Sequence, residues 1–290
     1  MDHLRPAVAA QEHRPPPPPD VALQLRQEAG FGCCACGRPV YQYHHIVPWE
    51  VEHHFRPADM MLLCPEHHDM ATKGAMKEAK QRKFKANPHN MREGRIRGSL
   101  EIDHGDFSVR VGDTEFKVNG PLLLADGEPI LGLTVGESGV LELSLNLYDR
   151  DDNKVLVIEK NEWKTPGPLW PWDIKSDWQV LRIRERKRHV LFAIDARENP
   201  PRLTLNCWRR GVNIQFQPKL GVWAGPPIKA YIKGGNFFKN VGIGVDTQAK
   251  QLHVLGEGMP KVVMAPEARI IFGAYGGFRS EGHWMKWGGP

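Results

Sequence analysis

Cysteine is scarce in this sequence, and its distribution excludes a fold built on disulfides. Five cysteines occur among 290 residues. Cys207 stands alone, whereas the other four lie between positions 33 and 64. Small secreted domains that depend on disulfides carry more cysteines for their length. We therefore expect the chain to occupy a reducing compartment, with the cytoplasm as the default location.

Long apolar runs and a strong net charge are missing as well. No segment approaches the roughly 20 consecutive apolar residues of a membrane span, and the N-terminus shows no signal-peptide pattern, so we expect no membrane association. The formal net charge is only +5, from 39 basic and 34 acidic side chains. The overall balance therefore does not by itself indicate nucleic-acid binding. The length suits two domains and a sizeable core.

The sequence does contain two paired metal-ligand motifs. Two residues separate Cys33 from Cys36, and two separate Cys64 from His67. Such a gap lets one turn aim two side chains at one ion, so the pairs predict a tetrahedral structural zinc site. Cys34 offers a second register, but only Cys33 gives the two-residue gap to Cys36. A zinc ion with four protein ligands leaves no open position, so any chemistry must come from other residues.

The same segment is unusually rich in other histidines. They are His44, His45, His53, His54 and His68. His68 directly follows a predicted zinc ligand, so the zinc would hold its backbone while its side chain points to another face. This arrangement predicts a second metal. We expect His53, His54 and Asp69 to be loop and helix-surface residues rather than ligands.

The segment CCACGRPVYQYHHIVPWEVEHHFRPADMMLLCPEHHDMATKG resembles the HNH endonucleases of the zinc-containing ββα-metal type. The resemblance covers about residues 30–97 and implies a hairpin and a helix that clasp a catalytic divalent ion. It implies that His45 is the general base that activates water. It also implies that His44 and His68 are ligands of the catalytic ion.

The family usually has Asn at a position that Asp59 occupies here, five residues before Cys64. An Asp at this position could orient the His45 ring or approach the catalytic Mg²⁺ or Mn²⁺ directly. Histidine suits the base, because its ordinary pKa of about 6.5 allows proton uptake near neutral pH. A divalent ion would stabilise the negative charge that develops on the phosphate oxygens.

A basic stretch follows the histidine segment. Nine basic residues lie between positions 73 and 97, against the two acidic residues Glu78 and Glu93. They are Lys73, Lys77, Lys80, Arg82, Lys83, Lys85, Arg92, Arg95 and Arg97. We predict that they bind phosphates of DNA, with double-stranded DNA as the expected substrate. The alternative is a solvated helix face.

Sequence punctuation predicts three regions. Residues 1–19 end in a run of prolines and form a disordered arm. Residues 20–98 form the HNH nuclease domain, in which Asp20 begins a helix over VALQLRQEA and a second helix runs from near His67 toward Lys85. Residues 99–290 show short alternating segments, which predict an all-β, sandwich-like domain. The predicted fold class is therefore α+β.

Two features of the β region have open interpretations. Trp163, Trp170, Trp172 and Trp178 crowd one proline-rich stretch, which is either a recognition surface or a hydrophobic plug. The basic segment from Arg182 to His189 is either a second cationic patch or a charged edge strand.

These features predict a metal-dependent DNA endonuclease, of the kind used in bacterial restriction or antiphage defence. We expect the β region to control it through an activating ligand, a partner protein or homo-oligomerisation. The alternative is a zinc-dependent nucleic-acid-binding module that cleaves nothing.

Overall fold

The computed structural model describes residues 15–281 except 103–107, 138, 167–170, 219–220, 226–229, 234–236, 240, 257–261, 265–268 and 273–277. Most of the predicted proline-rich arm and Trp170 lie outside the described residues. No helix in the described part of the chain is long and apolar enough to cross a membrane.

The N-terminal segment contains the helices and one small sheet. Its elements are α1 (Pro19–Glu28), β1 (Gln42–His45), a 3-10 helix (Pro57–Asp59), β2 (Met60–Leu63), α2 (Pro65–Thr72), α3 (Glu78–Ala86) and α4 (His89–Glu93). Strands β1 and β2 pair antiparallel, with His44 opposite Met61 and His45 opposite Met60. Because β2 is fully buried and leads directly into α2, it fixes the start of that helix beside β1.

The helix predicted from near His67 to Lys85 is interrupted. Gly74 adopts a φ of +74°, which ends α2 because residues with a Cβ avoid the left-handed region. Met76 then packs into the interior at 1% exposure, and α3 begins two residues later. The break turns α3 so that it can contact the histidine segment.

Short strands make up the rest of the described chain. Those of the first half are β3 (Arg97–Ser99), β4 (Ser108–Val111), β5 (Thr114–Lys117), β6 (Gly120–Ala125), β7 (Glu128–Val135), β8 (Leu141–Tyr148), β9 (Lys154–Glu159), β10 (Glu162–Lys164), β11 (Asp173–Ser176), β12 (Val180–Arg186) and β13 (His189–Asp195). Those of the second half are β14 (Arg202–Arg209), β15 (Val212–Gln217), β16 (Gly221–Ala224), β17 (Ala230–Lys233), β18 (Phe237–Lys239), β19 (Val241–Asp246), β20 (Gln251–Gly256), β21 (Val262–Met264), β22 (Arg269–Phe272) and β23 (Phe278–Glu281).

These strands form two large sheets. One has nine strands in the order β21-β20-β19-β6-β7-β8-β9-β10-β3. The other has twelve, in the order β11-β12-β13-β14-β15-β16-β17-β22-β23, with β4, β5 and β18 off this path. Most neighbours are antiparallel, as expected for strands joined by short turns. Because β12 lies between β11 and β13, the basic segment that begins at Arg182 is not an edge strand.

One continuous hydrophobic core serves both sheets. Strand β8 shows the predicted alternation, with every second residue buried from Leu141 to Leu147, because successive side chains of a strand point to opposite faces. Phe116 and Phe216 stack within this core at 6.4 Å between ring centroids. A second, smaller cluster lies in the N-terminal segment, around Leu25 and the residues of β2.

The predicted α+β class, with a small ββα-metal domain followed by an all-β domain, is wrong. Strands contain 45% of the residues and helices 17%, so the protein is mainly β with few helices. The N-terminal segment also packs into the core of the two large sheets, which we call the β body. Phe31 and Ile96 are buried in the core of that body, and β3 (Arg97–Ser99) pairs with β10 at the end of the nine-stranded sheet. Arg26 and Asp173 form a salt bridge at 2.7 Å with both side chains buried.

Candidate metal centre and histidine cluster

The four predicted zinc ligands come together from two chain segments. Cys33 and Cys36 lie on a tight turn in which the Gly37 amide donates to the Cys33 carbonyl at 2.7 Å. The Cys34 amide donates to the Leu62 carbonyl at 2.9 Å, which attaches this turn to β2. Cys64 immediately precedes α2, and His67 lies in the first turn of that helix.

The donor atoms fit one tetrahedral metal ion. All four lie within 4.8 Å of one another. The Cys36 and Cys64 sulfurs are 3.8 Å apart, and the Cys33 sulfur is 3.7 Å from His67 Nδ1. Zn–S bonds of about 2.3 Å in a tetrahedron require sulfurs separated by about 3.8 Å. Among the described residues, this is the only cluster of three or more side chains that could hold a metal. The Cys₃His set is therefore compatible with zinc.

The electrostatics of the turn favour ligand chemistry at Cys36. A hydrogen bond from the Cys33 thiol lowers the pKa of Cys36 to about 5, and that same contact, together with burial, raises the pKa of Cys33. The thiolate is the form that binds metal. Burial raises the pKa of Cys34 to about 11, and its sulfur lies outside the cluster. The register that begins at Cys33 is thus the one the structure adopts.

His44 and His68 lie close together where β1 meets α2. Their ring centroids are 5.0 Å apart, and the planes are nearly perpendicular at 89°. His44 is 8% exposed, and its Nε2 lies 3.0 Å from Gln81 Oε1. The Gln81 amide nitrogen donates to the Met76 carbonyl at 2.8 Å, so its oxygen faces the histidine. In a neutral His44 ring, this contact places the proton on Nε2 and the lone pair on Nδ1.

Sequence reasoning missed Gln81, which lies on α3 among basic residues. Its burial, at 6% exposure, follows from the break before α3, which turns this helix toward β1. No local pattern in the sequence distinguishes a buried glutamine from an exposed one.

His45 is the more enclosed histidine, with 4% exposure. Its Nε2 donates to the His54 carbonyl at 2.9 Å, which assigns the lone pair of the neutral ring to Nδ1. The ring packs against Trp49 and Phe55, with centroids 5.4 Å and 6.0 Å away. These contacts fix the position of the imidazole before any substrate binds.

The remaining histidines of the loop have structural contacts. His54 is buried, with Nε2 donating to the Val47 carbonyl at 3.1 Å and Nδ1 accepting from the Arg56 amide at 3.2 Å. Both nitrogens are thus engaged by the backbone. His53 is exposed and stacks on Trp49 at 4.7 Å. His53 and His54 both lie in the loop after β1, where the sequence predicted loop residues.

Asp59 forms ion pairs with two arginines. Its carboxylate lies 2.9 Å from Arg56 Nε and 2.8 Å from an Arg82 nitrogen, and these hydrogen bonds lower its pKa. Its backbone carbonyl accepts the Ile46 amide at 2.8 Å, directly after His45. In the described chain, Asp59 forms no three-ligand metal cluster with the histidines.

The basic stretch is divided by ion pairing. Arg82 bonds Asp59 and Glu78, and Lys85 lies 2.9 Å from Glu28. Lys73 pairs with Asp69, which is exposed on α2, and Arg92 lies 3.9 Å from Glu93. Within the described residues, no carboxylate forms an ion pair with the other members. These are Lys77, Lys80, Lys83, Arg95 and Arg97.

The tryptophan-rich stretch contains both buried and exposed side chains. Trp163 on β10 is 1% exposed and belongs to the core, as a hydrophobic plug would. Trp178 follows β11 and is 50% exposed, as a recognition surface would be. Trp172 is half-buried and binds Gln27 through its backbone carbonyl at 2.9 Å.

Comparisons with known protein families, with curated proteins and with solved structures find no match to this chain.

Proposed function

We propose that the protein is a metal-dependent endonuclease of the HNH type that hydrolyses phosphodiester bonds of DNA. The observation that supports this most strongly is the His44–His68 pair, 5.0 Å apart, with His45 next to it at the end of β1. The Cys₃His cluster lies on the same two segments, because His67 precedes His68 on α2. A zinc ion there would fix the backbone that presents the histidine pair.

In this proposal His45 is the general base. Its hydrogen bond to the His54 carbonyl keeps a proton on Nε2, so Nδ1 takes the proton from the attacking water. The packing of its ring against Trp49 and Phe55 holds the imidazole in one orientation. A positioned base of this kind accelerates proton transfer by roughly 10²- to 10⁴-fold.

His44 and His68 would hold the catalytic ion. The ion would supply stabilisation of the negative charge on the phosphate oxygens and of the leaving oxygen. Gln81 accepts the His44 Nε2 proton and so presents Nδ1 as the ligand atom. Two imidazole ligands favour a transition ion such as Mn²⁺, whereas Mg²⁺ would need mostly water and phosphate oxygens.

Helix α3 would bring positive charge to the substrate. It carries Gln81, which contacts His44, together with the exposed Lys80 and Lys83 on the same nine-residue helix. Phosphates of double-stranded DNA that bind to α3 would therefore lie beside His44, His45 and His68, the histidine cluster. Such contacts give affinity without sequence specificity and weaken as the salt concentration rises.

The β body would control cleavage, as expected of a restriction or antiphage effector that must spare its own genome. A buried chain of contacts connects the two parts, because Arg26 bonds both Asp173 and the Tyr43 hydroxyl at 2.7 Å. Tyr43 precedes His44 on β1. An activating ligand, a partner protein or homo-oligomerisation that shifts β11 would act on the histidine cluster through this connection.

A second candidate is a zinc module that binds nucleic acid without cutting it. The pairing of Asp59 with Arg56 and Arg82 favours it, because two guanidinium groups already engage the carboxylate. The low exposure of His45, at 4%, points the same way.

Nicking of supercoiled plasmid separates the two candidates. Zinc-loaded protein should nick the plasmid when Mn²⁺ or Mg²⁺ is added and should be inactive in their absence. His53→Ala is the matched control, because it removes an exposed imidazole of the same loop and should retain activity. Protein that shifts the plasmid in a gel at every metal concentration but never nicks it would instead be the binding module.

A further inference from the structure

A pocket of about 290 Å³ lies between the zinc-ligand turn and the β body. The turn contributes Arg38, α4 contributes His89, and the segment after α4 contributes Arg95. Arg97 of β3 and Trp178 of the turn after β11 also line it. The pocket is separate from the His44–His68 pair, none of whose residues line it.

The walls of this pocket are held in place by hydrogen bonds. The His89 amide donates to the Cys34 carbonyl at 2.9 Å, and the Asn90 side chain donates to the carbonyls of Gly30 and Gly37. On the opposite side, the Glu101 amide donates to the Trp178 carbonyl at 2.8 Å. These contacts position α4 and Trp178 before a ligand arrives, and the pairing of β3 with β10 does the same for Arg97.

The chemistry of the lining combines guanidinium groups with an exposed aromatic ring. Trp178 is 50% exposed, although a large indole is normally covered. Arg95 and Arg97 are exposed and have no carboxylate ion-pair partner in the described part of the chain. Guanidinium groups match phosphate oxygens, and indole rings stack on nucleobases. Glu93 and Glu162 also line the pocket and can accept hydrogen bonds from the amino groups of a base.

We infer that this pocket binds one nucleotide, with its base stacked on Trp178 and its phosphate held by Arg95 and Arg97. Its volume is close to the lower limit of about 300 Å³ for small-molecule sites, which suits one nucleotide rather than a larger ligand. The nucleotide comes either from solution or from a DNA strand that enters the pocket. The inference does not depend on the proposed nuclease activity, because no residue of the histidine cluster takes part.

Titration calorimetry of the full chain tests this inference. The probes are the four deoxynucleoside monophosphates, a single-stranded oligonucleotide and inorganic phosphate. Trp178→Ala should weaken nucleotide binding roughly five- to hundredfold. Arg95→Ala combined with Arg97→Ala should weaken it by at least about tenfold and should reduce its dependence on salt. Both changes are on the surface, so the melting temperature should not change.

Arg150 and Trp208 provide the matched control, because they form a cation–π pair at 5.0 Å elsewhere on the β body. Arg150→Ala and Trp208→Ala should leave nucleotide affinity unchanged.

Binding of the free monophosphates identifies a nucleotide from solution, and binding of the oligonucleotide alone identifies a DNA strand. The inference is wrong if neither probe binds, if Trp178→Ala binds as tightly as the wild type, or if inorganic phosphate binds as tightly as a nucleotide. A His45→Ala protein should bind the nucleotide normally, so failure of the nuclease proposal would be seen separately.

Discussion

Cys64 tests the zinc cluster at the scale of a single residue. It is fully buried at the start of α2, and its sulfur lies 3.1 Å from His67 Nδ1. Cys64→Ser should abolish stoichiometric zinc and lower the melting temperature, because binding of a structural metal contributes directly to folding free energy. Metal analysis of the purified protein and thermal unfolding are the measurements.

The matched control is Cys34→Ser, which changes a buried cysteine of the same turn whose sulfur lies outside the cluster. This variant should keep one zinc per chain. Equal zinc content in the Cys64→Ser and wild-type proteins would contradict the assignment of the zinc ligands. Loss of zinc from the Cys34→Ser protein alone would contradict it as well.

Cys207 gives a prediction about thiol chemistry. Burial in β14 raises its pKa from 9.0 to about 12. The thiol should therefore stay neutral at pH 8 and resist N-ethylmaleimide in the native protein while reacting rapidly in denaturant. Its contribution to stability should be complete below pH 9 and should be lost as the pH rises toward 12, because the unfolded chain releases this proton first. Mass spectrometry after a pH 8 pulse checks the first claim, and equally fast native labelling would refute it.

Local spacing explains which site residues could be predicted from the sequence. A two-residue gap fixes where Cys33 and Cys36 can point, so their convergence follows from the chain itself. The contact between Gln81 and His44 spans 37 positions and depends on how α3 turns after Gly74. The double backbone contact of His54 likewise depends on a loop that has no periodic pattern. Tertiary contacts of this kind leave no signature in a single sequence.

At the scale of elements, a buried salt bridge attaches α1 to β11. Asp173 binds Arg26 and Arg184, and the exposed fractions of the Arg26 and Asp173 side chains are 4% and 2%. Asp173→Ala should lower the free energy of unfolding by about 3–5 kcal/mol, because the buried Arg26 would lose its carboxylate partner. Urea unfolding of the purified variant measures this change.

Asp195 is the corresponding control, because it pairs with Arg197, whose side chain is 62% exposed. Asp195→Ala should change the free energy of unfolding by no more than about 1 kcal/mol. Similar losses in both variants would show that the buried bridge has no special role in attaching α1 to the β body.

Element prediction succeeded where one face of a strand is buried. In β8 the alternation from Leu141 to Leu147 matches the observed burial, because a strand with one buried face must alternate. The pairing of Arg26 with Asp173 could not be foreseen, because 147 residues separate them in sequence. The edge position offered for the segment beginning at Arg182 was wrong for a related reason, since strand order depends on long-range pairing.

At the scale of the whole molecule, the mainly β architecture makes the stability of the N-terminal segment depend on the β body. The sequence pattern correctly indicated many short strands, but it also indicated a separate small ββα-metal domain before them. Burial of Phe31 and Ile96 in the common core, and pairing of β3 with β10, join the two parts. Residues that are apolar in either arrangement cannot reveal from sequence which core they enter.

A fragment that ends at Gly98 should therefore be much less stable than the full chain. It would expose Phe31 and Ile96, each of which contributes about 1.5–3 kcal/mol when buried, and it would remove the carboxylate partner of Arg26. We expect it to bind zinc, to melt at a lower temperature and to lose selective cleavage. Circular dichroism melting measures the melting temperature, metal analysis the zinc content, and plasmid nicking the cleavage. A fragment that melts and cleaves like the full chain would show that the β body neither supports nor controls the histidine cluster.

The most direct test of the nuclease proposal is the plasmid-nicking rate measured across a Mn²⁺ titration for three proteins. The wild type should cut, and His45→Ala should cut about 10²- to 10⁴-fold more slowly at every Mn²⁺ concentration, because it lacks the base. His68→Ala should also be slow but should recover part of its rate at high Mn²⁺, because it lacks only a ligand. A His45→Ala protein with a normal rate would contradict the account, as would a wild type that does not cut at any concentration.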